Sequence, residues 1–359
     1  MTALKKFNGL GLSLLLMGSL AACATPPAND TATPGEEGAP AATSSRLDTV
    51  KERGTLVCGV DGGIPGFSFV DELGNYSGLD VDICKAVAAA VLGDADAVEY
   101  RRLDSTERFT ALAGGEVDML SRNTTWTLSR DTSVGLEFAP TTFYDGQGVM
   151  VRADSGITTL EDFAGKSICV ESGTTTELNI TDGMRKAGVD PEVKTFQQAD
   201  PAYAAYDDEL CDGFTSDKSQ LLARRTTLST PEDHIILDIT LSKEPLGPTT
   251  INNDSAWFDV VKWVTYGLIE AEELGITSEN VTEMLESEDP NIRRFLGVEG
   301  ELGSGAGLED DFMVKVIEAV GNYSEIYDRN LGADSEFKLE RGLNALWKDG
   351  GLLYAPPFR

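Results

Sequence analysis

The sequence runs through one alternating order of strand and helix and then repeats it, which restricts the chain to layered α/β architectures. Gly54-Thr55-Leu56-Val57-Cys58-Gly59-Val60 reads as a short apolar strand punctuated by glycine. Val81, Cys84, Val87, Ala88 and Val91 recur at steps of three and four, which predicts a helix to Leu92. Val98 to Leu103 is a second strand, Thr106 to Ala113 a helix stopped by Gly114-Gly115, and Val117 to Leu120 a third strand. A βαβαβ order calls for a parallel sheet covered by helices, because parallel neighbours are joined through crossovers. The same order restarts with a strand at Lys166 to Val170, a helix from Thr174, a strand at Val193 to Phe196, a helix at Pro201 to Glu209 and a strand at Cys211 to Thr215. The second unit spans about Asp145 to Gly247. A length of 359 residues suits two such units at roughly 150 residues per domain. Beyond them, Trp257 to Leu274 is an apolar helix, Gly297 to Gly307 a loop, and Asp311 to Asn330 and Leu339 to Leu346 are expected as helices.

The N-terminus reads as an export signal. Lys5 and Lys6 precede an apolar run, Leu10 to Leu20, that is too short to span a bilayer comfortably. Leu20-Ala21-Ala22-Cys23 resembles the lipobox of bacterial lipoproteins, which implies removal of residues 1–22 and acylation of Cys23, with membrane contact through that anchor alone. Residues 23–45 are rich in Pro, Ala, Thr and Gly and read as a flexible tether. Export makes disulfides plausible for the other four cysteines. Three connectivities are open, as are four buried thiols. The expected pairs are Cys58–Cys84 and Cys169–Cys211, one within each unit.

With 29 Lys and Arg against 60 Asp and Glu, the formal charge of −31 excludes a nucleic-acid binder, which needs a basic face. His234 is the single histidine, so a His-rich zinc site is excluded, and no metal or other cofactor is expected. Gly165-Lys166-Ser167 has the end of a P-loop, but Leu160 stands where its first glycine belongs.

Open α/β sheets bind ligands beyond the carboxyl ends of their strands. After the third strand comes Ser121-Arg122-Asn123-Thr124-Thr125-Trp126-Thr127-Leu128-Ser129-Arg130, whose hydroxyls and two arginines suit a carboxylate. In the second unit, Glu171-Ser172-Gly173-Thr174-Thr175-Thr176-Glu177 joins a strand to a helix start, where free N–H groups favour an anion. The same residues also fit plain capping, with Ser172 or Thr174 as the cap and Glu177 in a capping box.

These stretches, with Gly78-Leu79-Asp80-Val81-Asp82-Ile83, Ser242 to Pro248, Trp257-Phe258-Asp259 and Gly342 to Trp347, resemble the extracellular solute-binding proteins of amino-acid ABC importers, and the general L-amino-acid binders among them. The resemblance covers Arg46 to Arg359. It implies a bilobed Venus-flytrap fold: lobe 1 from residues 46–144 and 248–359, lobe 2 from 145–247, and a two-segment hinge near Asp145 to Val149 and Lys243 to Gly247. It implies capture of a free L-amino acid by lobe closure, delivery to membrane permease subunits, and a monomer. By motif, Arg130 matches the grip on the ligand α-carboxylate, assisted by Asn123 and Thr125. Gly173, Thr174 and Thr175 add anion contacts, and Asp217 pairs the α-ammonium. Phe67 and Trp126 are expected to wall the side-chain pocket. Asp61 stands where relatives preferring basic ligands carry an Asp, which favours polar or basic side chains; the alternative is a turn cap. The competing function is a periplasmic enzyme on this fold, such as a prephenate- or arogenate-type dehydratase, with Asp61, Glu171 and Asp217 as its candidate acids.

Overall fold

The computed structural model describes residues 45–359. The expectations for the signal peptide, for Cys23 and for residues 24–44 of the tether lie outside the described residues. Helix α1 (Arg46–Arg53) is capped by the Ser45 hydroxyl and stopped by Gly54 in the left-handed region. Then follow β1 (Leu56–Val60), β2 (Gly63–Ile64), β3 (Ser68–Val70), β4 (Tyr76–Ser77), α2 (Leu79–Leu92), β5 (Val98–Arg102), α3 (Arg108–Ala113), β6 (Met119–Leu120) and β7 (Leu136–Phe138). The chain next forms β8 (Phe143–Arg152), β9 (Ser167–Glu171), α4 (Thr175–Ala187), β10 (Glu192–Phe196), α5 (Ala199–Asp207), β11 (Gly213–Asp217), α6 (Lys218–Arg225), β12 (His234–Ile236) and β13 (Lys243–Leu246). It closes with β14 (Thr249–Ile251), α7 (Ser255–Leu274), α8 (Val281–Met284), α9 (Pro290–Phe295), α10 (Leu302–Gly305), α11 (Phe312–Val320) and α12 (Tyr323–Asn330).

Two main sheets result, and both are built on the same plan. The first has the order β5-β1-β6-β14-β7, and the second β10-β9-β11-β8-β12 with β13 on β8. In each, the three strands of the βαβαβ unit are parallel and its first strand is central. Antiparallel strands complete the edge: β14 and β7 in the first sheet, β8 and β12 in the second. The chain crosses from the first sheet to the second once, between β7 and β8, and returns once, between β13 and β14, while β2–β4 form a small sheet of their own between β1 and α2. β8 and β13 pair with each other, Phe143 to Gly146 against Lys243 to Leu246.

The first sheet rests on a core in which α2 and α11 bury nearly all their apolar residues and α7 buries one face, with Trp257 fully enclosed. Separate clusters line the second sheet, around Tyr206 and Phe214 and around Phe163 and Ile180. Cys58 is bonded to Cys84 and Cys169 to Cys211.

Three sequence expectations need correction. The helix expected over Asp311 to Asn330 is two helices. Gly321 takes φ 75°, and Asn322 and Glu325 form a reciprocal capping box that starts α12. Leu339 to Leu346 is irregular apart from one tight turn at Gly342–Asn344, because its polar groups are committed to other parts of the fold. The glycine-rich loop contains the four-residue α10.

The Cys169–Cys211 bridge closes a sequence separation of 42 residues. Replacing both cysteines with alanine is expected to lower unfolding free energy by about 2–4 kcal/mol, read as a fall in the urea midpoint. An unchanged midpoint would mean that the bridge adds nothing to stability.

Candidate functional site

In both sheets the central strand lies between the other two parallel strands, so the connections from the first and third strands part and leave a crevice at their carboxyl ends. Asp61 directly follows β1, and β9 and β11 end in acids of their own, Glu171 and Asp217. The β6 strand runs into Ser121 to Thr125. These ends meet around one polar cavity of about 30 Å³. From the first sheet's side it is lined by Ser105, Arg108, Arg122, Asn123 and Thr125. Glu171, Thr174, Thr175, Asp217 and Gln220 line the other. The two sides touch: the Thr125 and Thr175 hydroxyls lie 3.3 Å apart, and the Arg122 guanidinium is 3.5 Å from Glu171.

The loop after β6 is shaped from beneath by Asp80. Its buried carboxylate accepts from the Ser121 hydroxyl at 3.1 Å and the Asn123 N–H at 3.1 Å. Asn123 adopts φ 42°, a conformation asparagine tolerates better than most residues. Its side-chain amide is buried with neither polar atom partnered. Burial pushes the Asp80 carboxyl up to about 7 against these hydrogen bonds.

Arg122 is fully committed. It donates to Leu103 O (2.7 Å), Ser105 Oγ (3.1 Å) and Asp61 Oδ2 (2.6 Å). Asp61 also accepts from Gly63 N–H at 3.0 Å, so it both caps its turn and pairs with a cation. Arg108, the first residue of α3, is only 2 % exposed, yet among the described residues no carboxylate lies within ion-pair distance of it. Its Nε has no partner, and one terminal nitrogen makes a long 3.4 Å bond to Arg122 O. Burial and its neighbours Arg122 and Arg130 hold its guanidinium well below the usual arginine range.

On the other side Thr174 caps α4. Its hydroxyl accepts from Glu177 N–H at 3.1 Å, and Glu177 reaches back to Gly173 N–H at 2.9 Å. The capping reading of this loop is therefore realised, and the same loop lines the cavity. Thr175 donates to Glu244 at 2.9 Å. Asp217 occupies the cap position of α6 but makes no cap bond. One of its oxygens accepts from Gln220 at 3.1 Å, and the other is buried without a partner. Burial, with Asp145 and Glu244 close by, pushes its carboxyl well above the usual range, while Arg130 and Arg108 oppose the shift. Asp145 and Glu244 stand directly opposite each other in the β8–β13 pair.

Among the expected residues, Asp61, Asn123, Thr125, Thr174, Thr175 and Asp217 reach this region, while Gly173 supports the cap. Arg130 is buried immediately behind it, donating to Thr125 O at 2.9 Å, and burial lowers its guanidinium to about 10. Phe67 is not a pocket wall. It is sealed in the core, edge-on to Phe143 at 5.1 Å. Trp126 is half exposed outside the cavity, stacked on Phe138 and donating to Asp131 at 2.8 Å. The sequence reading missed Arg108 and Glu244; the fold alone turns them inward, and their spacing carries no signal.

Two sheets of one plan, joined by two strands and closing their carboxyl ends on one cavity, define a bilobed binding protein. The family of bacterial extracellular solute-binding proteins, family 3, matches residues 56–296, and the chain belongs to it. It is 50% identical over 324 residues to the general L-amino acid-binding periplasmic protein AapJ of Rhizobium johnstonii, covering 90% of this chain and 95% of that one. It is 47% identical over 320 residues to the glutamate/glutamine/aspartate/asparagine-binding protein BztA of Rhodobacter capsulatus, covering 89% and 95%. An ABC transporter periplasmic binding protein from Brucella ovis, solved with glutathione bound, superposes with a TM-score of 0.86 at 48% identity, over 88% of this chain and 100% of that one. The family and these relatives are solute-binding proteins, which decides against the dehydratase reading.

Asp80 keeps its proton in the folded state at pH values where an unfolded Asp has lost it, so unfolding there releases a proton. Its contribution to stability is full below about pH 4 and is lost as pH rises to about 7, by up to about 1.4 kcal/mol per pH unit. Asp80→Asn is expected to flatten the decline in unfolding free energy between pH 5 and 8 in urea titrations. The same slope in both proteins would place the titrating group elsewhere.

Proposed function

We propose that the chain is the receptor component of an ABC importer, capturing free L-amino acids over a broad range and delivering them to membrane permease subunits. In this reading lobe 1 comprises residues 46–144 and 248–359, lobe 2 comprises 145–247, and the two rotate about β8 and β13. The protein is exported, acts as a monomer, and is held to a membrane by acylation of Cys23. One observation carries the ligand class: Arg108 Nε, the Asn123 amide and Asp217 Oδ1 are buried, unpartnered and grouped at one cavity. Buried polar atoms without partners are costly, and a zwitterion supplies an acceptor for the arginine and a donor for the aspartate. Arg130, behind Thr125, supports carboxylate binding as the family motif implies. The cavity is too small for an amino acid as it stands, so entry goes with opening of the lobes.

Polar side chains are favoured. A basic group must compete with Arg122 for Asp61, whereas a neutral polar group meets no such competition. A second reading extends the ligand to a γ-glutamyl peptide. It is favoured by an outer pocket of about 250 Å³ that shares Arg122 and Glu171 with the cavity and continues past Asp61, Arg102 and Asp200.

Calorimetric titration with L-amino acids and glutathione tests both readings. Asp217→Asn is expected to raise Kd for every amino acid about 10- to 100-fold, since hydrogen bonds to charged groups are worth about 1.5–3 kcal/mol. Asp61→Asn frees Arg122 and is expected to improve glutamate binding relative to arginine. Failure of all twenty L-amino acids to bind the wild-type protein would overturn the ligand class.

A further inference from the structure

The family match ends at residue 296, yet the first crossing strand is held by side chains from well beyond it. Tyr144 lies opposite Pro245 in the β8–β13 pair, and its own polar groups face away from that partner. Both are taken by the buried side chain of Asn344. Tyr144 N–H donates to Asn344 Oδ1 at 2.6 Å, and Asn344 Nδ2 donates to Tyr144 O at 3.2 Å. One amide side chain thus replaces a neighbouring strand at this point. Two residues earlier, Thr142 O accepts from the Tyr323 hydroxyl at 2.5 Å. Between them, the Phe143 ring stacks against Tyr327 with centroids 6.2 Å apart.

The anchors are themselves fixed to one another. Arg341 donates to Asn344 O at 2.8 Å and forms a two-bond ion pair with Glu272 of α7 at 3.0 and 3.1 Å. Its guanidinium lies over both Tyr323 and Tyr327, 5.1 and 4.9 Å from their centroids. Immediately after Tyr144 the support changes. From Gln147 onward β8 is paired with β11 of the second sheet.

The geometry points to Asn344 as a positioning residue for lobe closure: with Tyr323 it clamps residues 142–144 to lobe 1 and confines the rotation to Asp145 to Gln147. This rests on the lobe-closure reading above. Asn344 lines neither the cavity nor the outer pocket, so it acts on binding only through Tyr144. Without the clamp the open form samples more pivots, and closing on a ligand costs more conformational entropy.

Small-angle scattering and stopped-flow binding of L-glutamate to the full mature chain test it. The wild-type protein is expected to become more compact with L-glutamate; no compaction would overturn the closure reading itself, independently of Asn344. Given compaction, Asn344→Ala is expected to raise Kd about 3- to 10-fold, mainly through faster dissociation. Asn344→Asp, which keeps the acceptor and loses the donor, is expected to fall between the two. Tyr323→Phe removes only the hydroxyl on Thr142 and gives the same direction, so the test stands even if Asn344→Ala folds poorly. A clamp that merely stabilised the fold would lower the melting temperature and leave dissociation at the wild-type rate in all three variants, and that result would overturn the proposal.

Discussion

Parallel strands of one unit end at the same edge, and the polar groups gathered there have to find partners. In this protein two such edges meet, and much of the surrounding structure serves that meeting. Asp80 lies beneath the β6 loop and holds Ser121 and Asn123 in place. Thr174 and Glu177 close the start of α4. Arg122 ties Asp61, Ser105 and Leu103 into one rigid wall. What remains at this edge after these bonds are made includes buried, unpartnered atoms of Arg108, Asn123 and Asp217, three residues that line the cavity.

The charges follow the same logic. A buried ion is tolerated when it is paired and hydrogen-bonded, as Arg122 and Asp61 are. Arg108 and Asp217 are each left short of a partner, so burial shifts both toward their neutral forms. A molecule carrying a carboxylate and an ammonium group relieves both at once.

Much of the architecture could be read from residue order. The two βαβαβ runs appear as expected, from Leu56–Val60 to Met119–Leu120 and from Ser167–Glu171 to Gly213–Asp217. Periodicity is a local signal and performs well where each element is long or sharply bounded. It fails where capping decides. The pattern over residues 311–330 looks continuous, but Gly321 followed by Asn322-x-x-Glu325 is a stop and a start, legible only when capping outweighs periodicity. It fails again at Leu339 to Leu346, where Asn344 is committed to Tyr144, a partner 200 residues away.

The sequence by itself determined the α/β class, the repeat of one unit, the loops that end its strands, and the chemistry those loops carry, because each of these is encoded within a few neighbouring residues. Tertiary structure alone decided which charges are free. Arg122 and Arg108 look alike in the chain, but one is saturated by Asp61, Ser105 and Leu103 and the other is buried without a counter-ion. Phe67 and Trp126 looked like pocket walls, and packing sent one into the core and the other to the surface. Pairing and burial depend on contacts between distant parts of the chain, and no local pattern records them.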